Sequence, residues 1–196
     1  MRERYPEIQQ GLHSIGTESP HIFSNEAYER FNRFLESYGL EYIEPGFSRV
    51  AARATSREIP PKLQGTVCKW EWTENGISRS FSIGSHQNYT EVAVWREACR
   101  RDHHDYFAPV HAADAEGFRW LFMTEVEEGL SDYMEAWMKQ ELRDRGWTAR
   151  DIEVGRHGDR PVVYDYGRVA RDGDDWRTDL DCLGAEIRAA PDIMSF

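Results

Sequence analysis

A chain of 196 residues, 40% hydrophobic and 13% aromatic, has the length of one domain and enough apolar side chains to build a core without disulfides, which excludes global disorder. Its 35 acidic residues outnumber the 24 basic ones, giving a net charge of −11. With Lys and Arg nowhere clustered, such a surface repels phosphate backbones and anionic lipid, so neither nucleic acid nor a membrane surface is an expected partner.

Residues 1–22 are polar and read as an irregular arm. The pattern predicts a helix over Ser24–Tyr38: Ser24 is placed as N-cap, and Phe23 and Tyr28 fit a hydrophobic staple. Tyr28, Phe31, Phe34, Leu35 and Tyr38 share its apolar face, and Gly39 ends it. Three strands follow. Phe47–Arg53 comes after the turn Glu44-Pro45-Gly46. Thr66–Trp72 alternates, with Val67, Lys69 and Glu71 on one face and Thr66, Cys68, Trp70 and Trp72 on the other. Arg79–Ile83 comes after Glu74-Asn75-Gly76.

Asn88 followed by Glu91 reads as a capping box and predicts a second helix, Asn88–Arg101, with Val92, Trp95 and Cys99 along one face. Arg96, Arg100 and Arg101 sit among acids on its solvated side. Two more strands are placed near Val110–Ala113 and Trp120–Val126. Ser131 caps a third helix, Ser131–Arg145, with Met134, Trp137, Met138 and Leu142 facing inward and Gly146 at its end. A hairpin follows, Asp151–Gly155 and Pro161–Tyr164, turning at His157-Gly158-Asp159. The tail from residue 171 is acidic, with a short helix placed at Asp179–Ala190. Strands and helices do not alternate one-to-one, so the class is α+β with a small antiparallel sheet rather than parallel α/β.

Three widely spaced cysteines, Cys68, Cys99 and Cys182, predict neither a disulfide scaffold nor a zinc site. The segment MRERYPEI lacks the apolar core of a signal peptide, and no apolar run approaches the ~20 residues of a membrane span. A cytoplasmic chain is expected, and a virion component made in a cell would look the same. Only Lys62, Lys69 and Lys139 are lysines, and Arg supplies the other 21. Acid-rich and lysine-poor is the composition of a proteome adapted to high salt, or of a GC-rich genome.

The residues that could carry chemistry are few. Asp165 ends the apolar strand Val162-Val163-Tyr164, where a carboxylate is costly to bury unless it is paired or holds a metal. A solvated strand end is the plainer reading. Lys69 stands mid-strand, which is unfavourable unless its tip reaches water or an anion, or unless it guards a sheet edge. Glu91 could pair with it, or serve the capping box alone. His103-His104-Asp105 reads as a surface turn, and Asp172, Asp174 and Asp175 as a solvated face without the spacing of a calcium loop.

In chain order these pieces resemble the protein-kinase-like fold over residues 44–170, a core flanked by an N-terminal arm and helix (1–43) and the acidic tail (171–196). The resemblance implies that Lys69 pairs with nucleotide phosphates and Glu91 orients it. Thr124–Glu127, Glu125 included, becomes the hinge that meets the adenine. Asp151, in Ala149-Arg150-Asp151, becomes the catalytic base, and Asp165-Tyr166-Gly167 the magnesium-binding triplet. The cofactor implied is ATP with Mg²⁺.

The pattern departs from the family in several places. Gly46 is a lone glycine where kinases have a glycine-rich loop, Ala149 replaces the triplet's His, and Arg156 stands where the second metal ligand, an Asn, is expected. A second alignment gives that ligand position to Glu153 and leaves Asp151 without a clear role. Only 29 residues follow Gly167, so most of a kinase's C-terminal lobe is missing. Two functions stay open. One is a degenerate, kinase-like phosphotransferase binding ATP and Mg²⁺. The other is a pseudokinase-like binding or structural protein with a protein partner, such as an accessory or virion component of a halophilic microbe or its virus.

Overall fold

The computed structural model of the chain describes residues 29, 32–33, 35–45, 49–55, 59, 61–71, 83–114, 120–150 and 152–171. Ser24 and its staple, Phe31, Phe34, Gly46, Phe47, Arg79–Phe81, Asp151 and the acidic tail lie outside those residues. Of the helix expected over Ser24–Tyr38, Leu35–Ser37 is helical at its end, Leu35 is buried, and Gly39 turns the chain at φ +76°.

The sheet grows from strand alternation. β1 (Leu40–Pro45), β2 (Arg49–Ala54), β3 (Thr66–Glu71), β4 (Val110–Ala113) and β5 (Trp120–Thr124) form one antiparallel sheet in the order β1-β2-β3-β5-β4. Ala51 pairs with Lys69, and Lys69 with Leu121. Directly opposed residues share a face. Arg49, Ala51, Arg53, Val67, Lys69, Leu121 and Met123 therefore lie on one side of the sheet. Val50, Ala52, Ala54, Cys68, Trp70 and Phe122 lie on the other, where they bury against Leu35, Ile59 and Leu63. Over Val67–Trp70 this is the division expected from the sequence. β1 was not expected from the sequence. Its register slips between Tyr42 and Glu44, and that bulge hid the strand's two-residue period.

α1 (Ile83–Arg100) crosses the first face. It starts five residues before Asn88, so the capping box is corrected: Asn88 and Glu91 are interior and buried, and Ile83 opens a helix rather than closing a strand. Gly84, Ser85 and His86 are poor helix formers, which is why the pattern seemed to begin later. Asn88, Glu91, Val92, Trp95 and Ala98 follow helical spacing and are all buried, whereas Cys99, expected on that face, is exposed.

α2 (Asp132–Asp144) begins after Ser131, as expected, and Gly146 follows it at φ +78°. Met138 and Leu142 are fully buried, but Trp137 is 37% exposed and does not face inward. Beneath α2 lie two short ribbons. β6 (Trp147–Ala149) pairs with β9 (Val169–Arg171), and β7 (Glu153–His157) pairs with β8 (Arg160–Asp165). A hairpin was expected here, but β7 runs Glu153–His157 rather than Asp151–Gly155, and His157 belongs to the strand instead of the turn. The hairpin turns at Gly158-Asp159 with a positive φ only at Gly158, the II′ pattern of a two-residue loop. β6 and β9 are three residues each, too short for a periodic signal. One core, from Tyr89 on α1 to Val169 on β9, joins helices and ribbons. No helix among the described residues is long and apolar enough to cross a membrane.

Candidate functional site

β8 is driven into the core by Val162 and Val163, and it ends beneath the sheet at Asp165. Tyr166, wholly buried, fixes the turn: its hydroxyl donates to the Ala108 carbonyl at 2.8 Å and its ring meets Phe107 edge-on, 5.2 Å between centroids. Gly167 is required by proximity rather than by a left-handed backbone. A Cβ there would lie 2.8 Å from Gln87 Cβ on α1.

Above the turn, β3 and α1 bring in Lys69 and Glu91. Lys69 Nζ donates to Glu91 Oε1 at 2.9 Å and to the Tyr164 carbonyl at 2.7 Å. An ammonium has three donors, so two are committed. Glu91 is 0% exposed, a burial that costs several kcal/mol unless the charge is compensated. Besides Lys69, the Tyr166 backbone N–H donates to Oε1 at 3.3 Å, and Arg49 Nη1 lies 2.9 Å from Oε2. The last is a charge contact rather than an aligned hydrogen bond, since Oε2 has no hydrogen-bond donor.

Arg49, the first residue of β2, is the member that sequence reasoning missed. It is nearly buried. Its Nη1 donates to Asn88 Oδ1 at 3.2 Å, and its Nη2 to Asp165 Oδ1 at 2.8 Å. Two cations and two carboxylates thus form a balanced cluster. Burial would raise the Asp165 pKa, but the charges of Lys69 and Arg49 outweigh it and hold the carboxyl at about 2. Glu91 and Asp165 likewise outweigh burial at Arg49 and raise its pKa.

The structure therefore brings Lys69, Glu91 and Asp165 together. Glu125 lies elsewhere on the cleft, bound to Arg53, whose Nε donates to its Oε1 at 2.6 Å. Glu153, exposed on β7, stands opposite Asp165 across the hairpin, lines the same cleft and accepts from the Tyr164 hydroxyl; burial first, then Glu153, raises that tyrosine's pKa. Trp147 Nε1 donates to His103 Nδ1 at 3.1 Å, and His104 opens a short 3-10 turn.

The cluster floors a cleft of about 730 Å³ between the sheet and the hairpin, within the roughly 300–1,000 Å³ of small-molecule sites. The linker after β5 forms one rim. It is tied to β7 where Glu127 and Arg156 exchange both backbone hydrogen bonds, at 2.9 and 2.8 Å. Gly155 permits this contact, because a Cβ there would meet Val126 Cγ2 at 2.6 Å and the Glu127 carbonyl at 2.9 Å.

Arg49 already occupies one oxygen of Asp165, the carboxylate expected to hold magnesium. Among the described residues no three His, Cys, Asp or Glu side chains converge as ligands. A metal about 2.1 Å from Asp165 Oδ1 would lie within about 5 Å of Arg49 Nη2.

No protein-family model matches this chain, and no curated protein does. Solved structures do match. One is the Rio2 kinase of Chaetomium thermophilum, solved as an ADP/Mg²⁺-phosphoaspartate complex. It aligns with a TM-score of 0.42 and 9% identity, covering 82% of this chain. The chain spans 60% of that structure's length. The likeness is a weak, kinase-like similarity of fold.

Proposed function

We propose that the chain is a kinase-like domain that binds a nucleotide in the cleft and does not transfer its phosphate. The observation that carries this reading is the cluster itself: a lysine ammonium, fixed by a buried glutamate and a backbone carbonyl, on the floor of a cleft of nucleotide size. Lys69 is the phosphate contact and Glu91 its positioning partner. Because Glu127 has both backbone groups committed to Arg156, the base edge falls to Glu125 and Val126.

The argument against transfer is also local. β6 ends at Ala149 and β7 begins at Glu153, so Arg150, Asp151 and Ile152 are all that connect them. The kinase catalytic loop, His-Arg-Asp through its metal-binding Asn, needs about eight residues. Asp151 as base and Glu153 as second metal ligand would each act without the partners the reaction uses.

Thermal unfolding with and without ATP, alongside a phosphate-release assay, tests the proposal. Ligand at 100 times its Kd stabilises the wild type by about 2.7 kcal/mol. The expected result is a stabilised wild type, a weaker response in Lys69→Met, and no phosphate release. Absence of any shift with ATP or ADP would reject nucleotide binding; turnover that Asp151→Asn abolishes would reject the non-catalytic reading.

A further inference from the structure

We infer that Arg49 takes the place beside Asp165 that a divalent cation would hold, so that the cleft recognises the phosphate of its ligand through Arg49 and Lys69 directly and needs no metal. This deepens the nucleotide reading and rests on it.

Three observations carry the inference. First, the guanidinium is on the carboxylate: Nη2 donates to Asp165 Oδ1 at 2.8 Å. Second, Arg49 is not a surface side chain able to swing aside. It is nearly buried and gripped from α1 by Asn88 and Glu91. Third, charge already balances. Glu91 and Asp165 are answered by Lys69 and Arg49, so each carboxylate of the cluster already has a cation beside it.

What the cluster retains is donor capacity. A guanidinium carries five N–H donors and an ammonium three. Hydrogen bonds to Asn88 and Asp165 use two of Arg49's, and Glu91 and Tyr164 use two of Lys69's. The planar guanidinium suits phosphate oxygens, which it grips in pairs. Sheet register also places both groups on the cleft face. Ala51 stands opposite Lys69, two residues along from Arg49, and its methyl group leaves room between them.

Titration calorimetry of the full chain with ADP, at one ionic strength, in EDTA and then in Mg²⁺, tests the inference. ADP is expected to bind equally well in both, and adenosine much more weakly. Arg49→Lys keeps the charge but loses the fork, and should weaken ADP about tenfold, the worth of one charge-assisted hydrogen bond. Mn²⁺ alone, followed by water-proton relaxation, is expected not to bind. ADP binding that requires Mg²⁺, or saturable Mn²⁺ binding that Asp165→Asn abolishes, would overturn the inference and leave the nucleotide reading intact. Adenosine binding as tightly as ADP would also overturn it alone. Failure of every nucleotide in both buffers would overturn both readings. Should Arg49→Lys fail to fold, the wild-type comparison of EDTA with Mg²⁺ still decides.

Discussion

Arg49 Nη2 donates to Asp165 Oδ1 at 2.8 Å, joining the first residue of β2 to the last residue of β8. The bond ties the sheet to the hairpin across the cleft floor, and Arg49 reaches α1 as well through Asn88 and Glu91. Arg49→Met should therefore destabilise the fold more than loss of a surface charge would. It strips a buried glutamate of one of its two cations, a change worth about 3–5 kcal/mol. Urea unfolding should show a lower midpoint with an unchanged m-value. A loss below about 0.5 kcal/mol, the range of ordinary surface substitutions, would mean the contact is not formed.

The same bond makes stability depend on acid. Asp165 has a folded pKa of about 2, below the roughly 3.9 of an unfolded chain. A depressed carboxylate contributes stability above its unfolded pKa and loses it as pH falls through the folded value. Asp165 is 35% exposed, so solvent screens part of the effect, and on the order of 1 kcal/mol should disappear between pH 5 and pH 2.5. Asp165→Asn should remove that increment. Parallel pH profiles for wild type and variant would show the carboxylate unpaired.

Much of this arrangement was legible in the sequence. Lys69 announced itself as a charge in the middle of a strand, and Asp165 as a charge ending an apolar one. Burial of Lys69 follows from the alternation that the register bears out, whereas Asp165 is only partly buried. Glu91 was ambiguous because the polar run Gly84-Ser85-His86 hid the true start of α1 and made a capping box plausible. Arg49 was not legible. Its partners lie 39 and 116 residues away. The signal available was parity. Arg49 shares a face with Lys69, and a second cation beside a buried lysine calls for a second carboxylate. β6 and β9, at three residues each, carry no period to read.

Lys69 and Glu91 should behave as a coupled pair. Lys69→Met leaves Glu91 to Arg49 alone, and Glu91→Gln leaves two cations facing one carboxylate, so each single change should cost about 3–5 kcal/mol. The double variant should lose less than the sum, with a coupling of about 0.5–3 kcal/mol from a denaturation cycle. Simple additivity would show that the two charges are solvated independently.

The orientation of α2 can be tested by contrast. Leu142 is fully buried against the core, and its truncation to Ala should cost about 2–5 kcal/mol. Trp137 is larger but 37% exposed, and Trp137→Ala should cost about 2 kcal/mol on the area it buries, with no enclosed cavity to add to it. If Trp137→Ala proves the more damaging, the helix is rotated toward the face its sequence suggested.

The linker rim depends on one missing methyl. A Cβ on Gly155 would lie 2.6 Å from Val126 Cγ2 and 2.9 Å from the Glu127 carbonyl oxygen. That oxygen accepts from the Arg156 N–H at 2.8 Å and cannot retreat without opening the pair that holds the linker to β7. Gly155→Ala should therefore cost about 1–3 kcal/mol, the range for an overpacked site. It should also weaken ADP binding, because Val126 and Glu127 line the cleft. Gly158→Asn is the control on the same hairpin. Its φ of +61° strains any side chain, but no atom lies within 4 Å of a Cβ there, so the change should weaken the turn by about 1 kcal/mol and leave ADP affinity unchanged. Equal losses of ADP affinity in the two variants would point to general weakening of the hairpin, whereas a loss confined to Gly155→Ala identifies the linker contact as what shapes the cleft.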